Sequence, residues 1–198
     1  MQLQPHNSAN TLLKAYVAVG SNQSSGKITP KDTLRHALGL FLGESLEITK
    51  QSQWYETEAF PPGSGPDYVN AVVEIETVLP VAEILPALHQ IETAMGRQRT
   101  ARWGQRSCDL DLLAVGDAVA PNPHVFTHWH SLPIEQQMVL APDQLILPHP
   151  RLQDRAFVLV PLNDIAPEWH HPVLGRTVAQ MLADLPKADV TLVRQILT

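Results

Sequence analysis

The sequence of 198 residues contains a single cysteine, Cys108. One thiol cannot form a disulfide within the chain, so no feature of the sequence points to an oxidising compartment. We therefore expect a cytoplasmic protein. We interpret Cys108 as a buried strand residue rather than a nucleophile, because no base that would activate the thiol can be identified near it.

The sequence also lacks the apolar segments that direct proteins to membranes. No apolar run is long enough to cross a bilayer, so we expect no membrane partner. Residues 1–12 form a polar tail without the basic start and apolar core of a signal peptide. The G-x-x-x-x-G-K-[ST] motif is absent as well, which excludes the P-loop class of nucleotide-binding proteins.

Positive charge is scarce and unevenly distributed. The chain has 14 Lys and Arg against 20 Asp and Glu, which gives a formal net charge of −6. Four arginines nevertheless surround Trp103 in one segment: Arg97, Arg99, Arg102 and Arg106. Cations gathered in one segment of an acidic protein favour a local anion site, so we expect no nucleic-acid partner.

Two carboxylates follow the arginine segment directly. Asp109 and Asp111 alternate with apolar residues, which is strand periodicity and places both side chains on one face. Adjacent carboxylates repel each other unless a cation lies between them, and Mg²⁺ prefers hard oxygen ligands together with substrate phosphates. The pattern predicts a magnesium and phosphate site, with a solvated strand face as the alternative.

Length and patterning predict one domain spanning residues 1–198 with an α+β fold. Alternation predicts four strands, and capping residues with helical spacing predict two helices. The predicted strands are Leu13–Val19, Glu47–Thr57, Tyr68–Thr77 and the segment that carries Asp109 and Asp111. The predicted helices start at Pro30, after the N-cap Thr29, and at Pro80; they end at Gly43 and Gly96, and Pro86 is expected to kink the second or delay its start.

The resulting order, β-α-β-β-α-β, is typical of a ferredoxin-like core with helices on one face of an antiparallel sheet. Along Tyr68–Thr77, alternation predicts one face made of Val69, Ala71, Val73 and Ile75. A C-terminal extension follows the core. Within it, Phe157 to Val160 suits either a strand or a helix, and Thr177 caps a predicted helix from Val178 to Leu185.

Residues 118–138 are rich in proline and histidine, and we predict an inserted loop there. Its histidines, His124, His128 and His130 beside Trp129, could bind a transition metal, but a proline-rich loop offers no regular geometry for one. A lid, a partner contact or a plain surface insertion is the favoured interpretation.

Four motifs occur in a recognisable order: YVAVGSN, PDYVNAVV, RWGQRSCDLDLL and LPHPRLQDRAFVLVPL. Together they resemble the 6-hydroxymethyl-7,8-dihydropterin pyrophosphokinase family over about Ala15 to Pro167. The resemblance implies a ferredoxin-like core and the transfer of pyrophosphate from ATP to the hydroxymethyl group of the pterin, with release of AMP in folate biosynthesis. It also implies two Mg²⁺ ions as cofactors.

The resemblance assigns candidate catalytic and nucleotide-binding residues by motif position. The family's two metal-binding aspartates match Asp109 and Asp111, and two of its catalytic arginines match Arg97 and Arg106. The residues matched to ATP binding are His89, Glu92, Arg99, Arg102, Trp103, His149 and Arg155. The arginine segment is about one residue shorter than the family's common pattern, which leaves Arg99 and Arg102 less firmly aligned.

The same resemblance places the pterin among aromatic and amide side chains: Thr57, Tyr68, Asn70, Trp103 and Phe157. Aromatic faces suit a flat heterocycle, and an inward amide offers a donor and an acceptor. The alternatives are another Mg²⁺-dependent phosphotransferase and a non-catalytic ferredoxin-like module that binds anions. The sequence leaves the oligomeric state open, although a monomer is favoured.

Overall fold

The computed structural model describes residues 11–24, 27–59, 63, 65–96 and 108–197. In this part of the chain the strands are β1 (Leu13–Ser21), β2 (Glu47–Gln51), β3 (Tyr55–Thr57), β4 (Tyr68–Thr77), β5 (Asp109–Val115) and β6 (Arg194–Gln195). The α-helices are α1 (Pro30–Leu40), α2 (Val81–Ala94), α3 (Pro123–His130), α4 (Ile134–Val139), α5 (Ala156–Ile165), α6 (Val178–Asp184) and α7 (Lys187–Thr191).

The strands form one antiparallel sheet in the order β5-β1-β4-β3-β6, and β2 also pairs with β4. The predicted α+β class and the β-α-β-β-α-β order of the core are therefore confirmed. The predicted strand Glu47–Thr57 is two strands, β2 and β3. Between them Ser52 keeps the chain against β4, because its amide donates to the Val72 carbonyl over 2.9 Å and its Oγ accepts from the Val72 amide over 2.9 Å.

Both core helices start where the sequence predicts. Thr29 forms a capping box with Asp32 at the start of α1, and α2 begins directly after Pro80 and continues through Pro86. Gly96 follows α2 with a φ of 81°, a conformation that glycine adopts without strain. The predicted stop at Gly43 is wrong, because a 3₁₀ turn carries the chain to Ser45, which has the positive φ of 60°.

The two core helices lie on one face of the sheet, as predicted, and the C-terminal extension covers the other face. On one side, called the α1/α2 face, β4 buries the predicted stripe of Val69, Ala71, Val73 and Ile75 against α1 and α2. On the other, called the α5/α6 face, Val72 packs with Leu159 and Met181. The C-terminal extension thus forms a third layer, because its apolar residues have their own sheet face to cover.

The segment Phe157 to Val160, for which strand and helix were both open, belongs to α5. Helix α6 follows the capping box formed by Thr177 and Gln180 and ends at Asp184, within one residue of the prediction. The start of α6 can be predicted without long-range information, since Thr177 is a local start signal. The helical state of α5 follows from its burial against β4 and α6.

Residues 118–138, predicted as a loop, contain α3 and all but the last residue of α4. Asn122 caps α3 and Pro123 occupies its first turn, a combination that starts helices. Phe126 is buried, with ring centroids 5.7 Å from His130 and 5.3 Å from His171. Among the described residues, no group of three or more His, Cys, Asp or Glu side chains is arranged to hold a metal ion.

Across the described ranges, no helix combines the length and the apolar character that crossing a bilayer requires.

Candidate active site

The two aspartates of β5 lie on the α5/α6 face of the sheet. Leu110 and Leu112, which alternate with them, are buried in the apolar cluster of the opposite face. Both Asp109 and Asp111 remain partly exposed. Strand alternation therefore sets two carboxylates side by side at the start of an edge strand, as the sequence predicts.

The register of the sheet brings Asn70 into the same row as Asp109. Gly20 of β1 is paired with Asn70 on one side and with Asp109 on the other. A Cβ atom at Gly20 would lie 3.2 Å from Asn70 Oδ1, so the glycine keeps the space between the amide and the carboxylate open. Local sequence patterns do not single out Gly20 as a site residue, although it stands in the YVAVGSN motif.

Asn70 is held in position by Thr57. Its Nδ2 atom donates to Thr57 Oγ1 over 2.8 Å, and Asn70 is only 7% exposed. Thr57 is in turn paired with Tyr68 across β3 and β4, which places these three predicted pterin residues together at one end of the sheet. The hydrogen bond satisfies the buried amide and fixes where Asn70 Oδ1 points.

Helix α5 contributes the opposite wall of the site. Arg155 immediately precedes the helix, and its guanidinium lies 3.7 Å from Asp111 Oδ2. The guanidinium carbon also lies 5.6 Å from the ring centroid of Phe157, which is 39% exposed. The structure therefore joins the aspartate strand to Arg155 and Phe157 across the α5/α6 face.

His149 lies just before α5 and is neutral. Burial, together with the charges of Arg155 and Arg151, lowers the pKa of His149 to about 3. Its Nδ1 accepts a hydrogen bond from the Arg151 amide over 3.1 Å, so the proton of the neutral ring is on Nε2. His149 can therefore donate a hydrogen bond to an anion without carrying charge.

His89 and Glu92 of α2 lie apart from the aspartates' face. Glu92 is 1% exposed, and its Oε1 accepts from the Leu110 amide over 2.9 Å on the α1/α2 face. It supports the backbone between the two aspartates. His89 lines a surface cleft of about 480 Å³ with residues of α2 and Glu44.

Five of the predicted site residues lie outside the described part of the chain: Arg97, Arg99, Arg102, Trp103 and Arg106. They belong to the segment that connects Gly96, after α2, to Cys108, before β5. Their predicted roles stay predictions.

The donor set on β5 fits a hard divalent cation. Asp109 and Asp111 offer carboxylate oxygens from one strand face, and Asp111 already faces the cationic guanidinium of Arg155. Mg²⁺ takes one or two protein carboxylates and completes its shell with water and phosphate oxygens. The partly exposed position of both aspartates leaves room for such a shell.

The fold and this site place the chain in a class of α+β proteins that present paired carboxylates at the edge of an antiparallel sheet. Residues 16–167 match the family model described as 7,8-dihydro-6-hydroxymethylpterin-pyrophosphokinase (HPPK). The match covers more than half of the chain, and the chain belongs to this family.

Several relatives are named 2-amino-4-hydroxy-6-hydroxymethyldihydropteridine pyrophosphokinase. The protein from Synechocystis is 38% identical over 159 residues, which cover 79% of this chain and 71% of the relative. The Haemophilus influenzae protein is 34% identical, with 78% and 82% covered, and the Pseudomonas aeruginosa protein is 34% identical, with 87% and 92% covered.

Solved structures show the same fold. The crystal structure of wild-type Plasmodium falciparum HPPK-DHPS with STZ-DHP matches with a TM-score of 0.62 at 16% sequence identity. The alignment covers 89% of this chain but only 44% of that one, so this chain spans less than half the length of that protein.

Proposed function

We propose that this protein transfers the pyrophosphoryl group of ATP to the hydroxymethyl group of 6-hydroxymethyl-7,8-dihydropterin, releasing AMP, in folate biosynthesis. The hydroxymethyl oxygen attacks the β-phosphorus, and the bond from that phosphorus to the oxygen bridging to the α-phosphate breaks. The hydroxyl proton passes to solvent. The observation that carries the proposal is the meeting of paired carboxylates, an arginine and a fixed amide on one sheet face.

Asp109 and Asp111 are the residues that would hold Mg²⁺, and we propose two ions. When bound, the ions neutralise the charge of the ATP phosphates and polarise the attacked phosphorus. The role of the two carboxylates is to place negative charge at a fixed position on the edge of the sheet. The Glu92 hydrogen bond to Leu110 keeps the strand between them in position.

We propose that Arg155 and His149 bind the phosphate oxygens of ATP. Arg155 supplies a fixed positive charge next to Asp111, and His149 supplies a neutral donor from Nε2. Charge-assisted donors of this kind stabilise phosphoryl oxygens as charge develops on them. By their positions in the family motifs, we propose Arg97 and Arg106 as catalytic and His89, Arg99, Arg102 and Trp103 as further nucleotide contacts. The same motifs match Glu92 to the nucleotide site, where we propose that its buried carboxylate acts by holding the strand between the two aspartates.

We place the pterin over Asn70 at the end of β3 and β4. Asn70 Oδ1 faces the space above Gly20, while Thr57 occupies its Nδ2. Phe157 offers an exposed ring for stacking against the heterocycle, and we include Tyr68 and Trp103 in the pocket. In this arrangement the Asn70 amide orients the pterin by hydrogen bonding, and the aromatic rings provide an apolar contact surface for it.

The chain is further proposed to act as a single domain in the cytoplasm and as a monomer. The sheet spans both the segment matched to the family and the C-terminal strand β6, which supports one folding unit. Size-exclusion chromatography with light scattering measures the oligomeric state directly.

The proposal is tested by incubating the protein with ATP, Mg²⁺ and the pterin and identifying the products by phosphorus NMR. AMP formed together with a diphosphorylated pterin is the expected result. ADP as the nucleotide product would indicate ordinary phosphoryl transfer by a different Mg²⁺-dependent phosphotransferase. No reaction by folded protein would favour a non-catalytic anion-binding module. Incubation without the pterin controls for simple hydrolysis of ATP.

A further inference from the structure

The site is built from two parts that come from separate segments of the chain. The sheet carries Asp109, Asp111 and Asn70, whereas α5 and the residue before it carry Phe157 and Arg155. Apolar packing of α5 on the sheet is extensive, but hydrophobic contact is non-directional and does not by itself fix the axial position of a helix. A directional contact is needed to set where Phe157 lies.

Asp164, near the end of α5, provides that contact. Its carboxylate accepts from the Tyr55 hydroxyl, with distances of 2.9 Å and 3.1 Å to its two oxygens, and from the Gln53 amide over 3.1 Å. Tyr55 is only 7% exposed. Two donors, the Tyr55 hydroxyl and the Gln53 amide, bind this one carboxylate and define both the position and the orientation of this end of the helix.

The contact between Tyr55 and Asp164, called the tie, lies on the same side of α5 as Phe157 and on the same face of the sheet as Thr57 and Asn70. Asp164 follows Phe157 by seven residues, so the two side chains lie on one side of α5, within about 20° of each other and about 10 Å apart. On the sheet, Tyr55 is paired with Asn70 and precedes Thr57 by two residues, so all three side chains point to the α5/α6 face. The tie therefore connects the side of α5 that carries Phe157 to the sheet face that carries Thr57 and Asn70.

We propose that Tyr55 and Asp164 are positioning residues for the pterin, which hold Phe157 at a fixed distance from Asn70. The inference rests on the proposed function. A shift of α5 by one residue would move Phe157 by about 1.5 Å, which is enough to lose a stacking contact. Neither residue touches the reacting atoms.

The test is Tyr55→Phe, with Asp164→Asn as a second variant that keeps the shape of the carboxylate. Loss of the tie should raise the KM for the pterin by about tenfold, leave kcat within about threefold and leave the KM for ATP within about twofold. Titration calorimetry of the pterin should show the same weakening. Thermal unfolding monitors whether either variant is still folded.

Tyr16→Phe is the matched control. Tyr16 is buried on the same face, and burial together with Glu74 raises the pKa of its phenol to about 12, as burial and Asp164 do for Tyr55. Its row of the sheet contains Glu74, four residues along β4 from Asn70 and about 13 Å away. This variant loses a comparable hydroxyl without touching the pterin residues, so its pterin KM should stay unchanged.

An unchanged pterin KM in both Tyr55→Phe and Asp164→Asn, alongside an active wild type, would overturn the positioning role and leave the proposed function intact. Equal weakening of pterin and ATP would also overturn it, since that is the effect of general loosening. A wild type that neither binds nor converts the pterin would overturn both proposals, because the tie would then have nothing to position.

Discussion

The two faces of the sheet differ in the polarity of the side chains they bury, and β4 shows this difference within a single strand. Towards α1 and α2 it presents four apolar side chains, Val69, Ala71, Val73 and Ile75. Towards α5 and α6 it presents Asn70 and Glu74 on either side of Val72, and both polar residues are almost completely buried. Both faces bury apolar side chains, but on the α5/α6 face β4 adds polar groups with defined hydrogen-bond partners. The proposed site lies on the α5/α6 face, where side-chain hydrogen bonds fix the orientation of polar groups.

The largest effect is expected from Asp111→Asn or Asp109→Asn on the α5/α6 face. Each variant removes the charge of a proposed metal ligand, so turnover should fall by about a thousandfold or more. Stability should be maintained, because the change also relieves repulsion between neighbouring carboxylates. Initial rates and thermal unfolding check both statements.

Asp117→Asn is the control for that prediction, since Asp117 is exposed in the turn after the same strand. It should keep wild-type turnover. Near-normal turnover in both aspartate variants of β5 would contradict the proposed metal site.

Leu88→Ala tests the α1/α2 face. Leu88 is fully buried in α2, so truncation should cost about 2–5 kcal/mol of unfolding free energy. The kcat of the protein that remains folded should be unchanged, because Leu88 packs on the face of the sheet opposite to Asp109, Asp111 and Asn70. Urea denaturation and rates measured well below the melting temperature separate the two effects. Leu42→Ala, at a leucine that is 75% exposed, should cost almost nothing.

Glu74→Gln tests whether the polar groups of the α5/α6 face stabilise the fold. Glu74 binds Lys50 at 3.1 Å, Lys14 at 3.4 Å and Thr49 at 3.0 Å. Loss of these charge-assisted contacts should cost about 1–3 kcal/mol near neutral pH, with activity retained. Glu47→Gln, at an exposed position on β2, provides the comparison.

The same variant should change the dependence of stability on pH. Burial opposes ionisation of Glu74, but its contacts with Lys50, Thr49 and Lys14 prevail and hold its pKa below the usual 4.5. A lowered folded-state pKa contributes stability that is present above 4.5 and is lost as the pH falls through the folded-state value. Wild type should therefore lose more stability than Glu74→Gln on acidification below that pH. Parallel acid limbs in urea titrations would refute the assignment.

The smallest effect belongs to the helix cap on the α1/α2 side. Thr29→Ala removes the side-chain acceptor for the Asp32 amide, 3.1 Å away, and should cost about 1 kcal/mol without changing activity. Thr29→Ser keeps that acceptor and should stay close to wild type. A cost in Thr29→Ser equal to that in Thr29→Ala would show that the cap is not responsible.

Sequence reasoning succeeded where the signal is local. The alternation of β4, the cap at Thr29 and the shared face of Asp109 and Asp111 each follow from residues within a few positions of one another. The helix α3 was missed although Asn122 and Pro123 give a local start signal, because proline density was interpreted as a loop.

Other features could not be predicted because they depend on distant partners. Tyr55 and Asp164 are separated by 109 positions, and nothing in either neighbourhood specifies the other. The importance of Gly20 appears only when β1 is placed between β4 and β5. Glu92 was matched to the nucleotide from its motif position, whereas its bond to Leu110 depends on how α2 packs under an edge strand.

Cys108 has a practical consequence for work on this protein. It is the single cysteine of the chain, it is fully buried with the α1/α2 cluster, and it directly precedes Asp109. A thiol-specific reagent can modify it only when this end of the sheet edge opens, so the labelling rate measures that opening without any engineered probe. The native chain therefore carries its own reporter, at the residue adjoining the proposed metal ligands, for how substrates and Mg²⁺ change local opening.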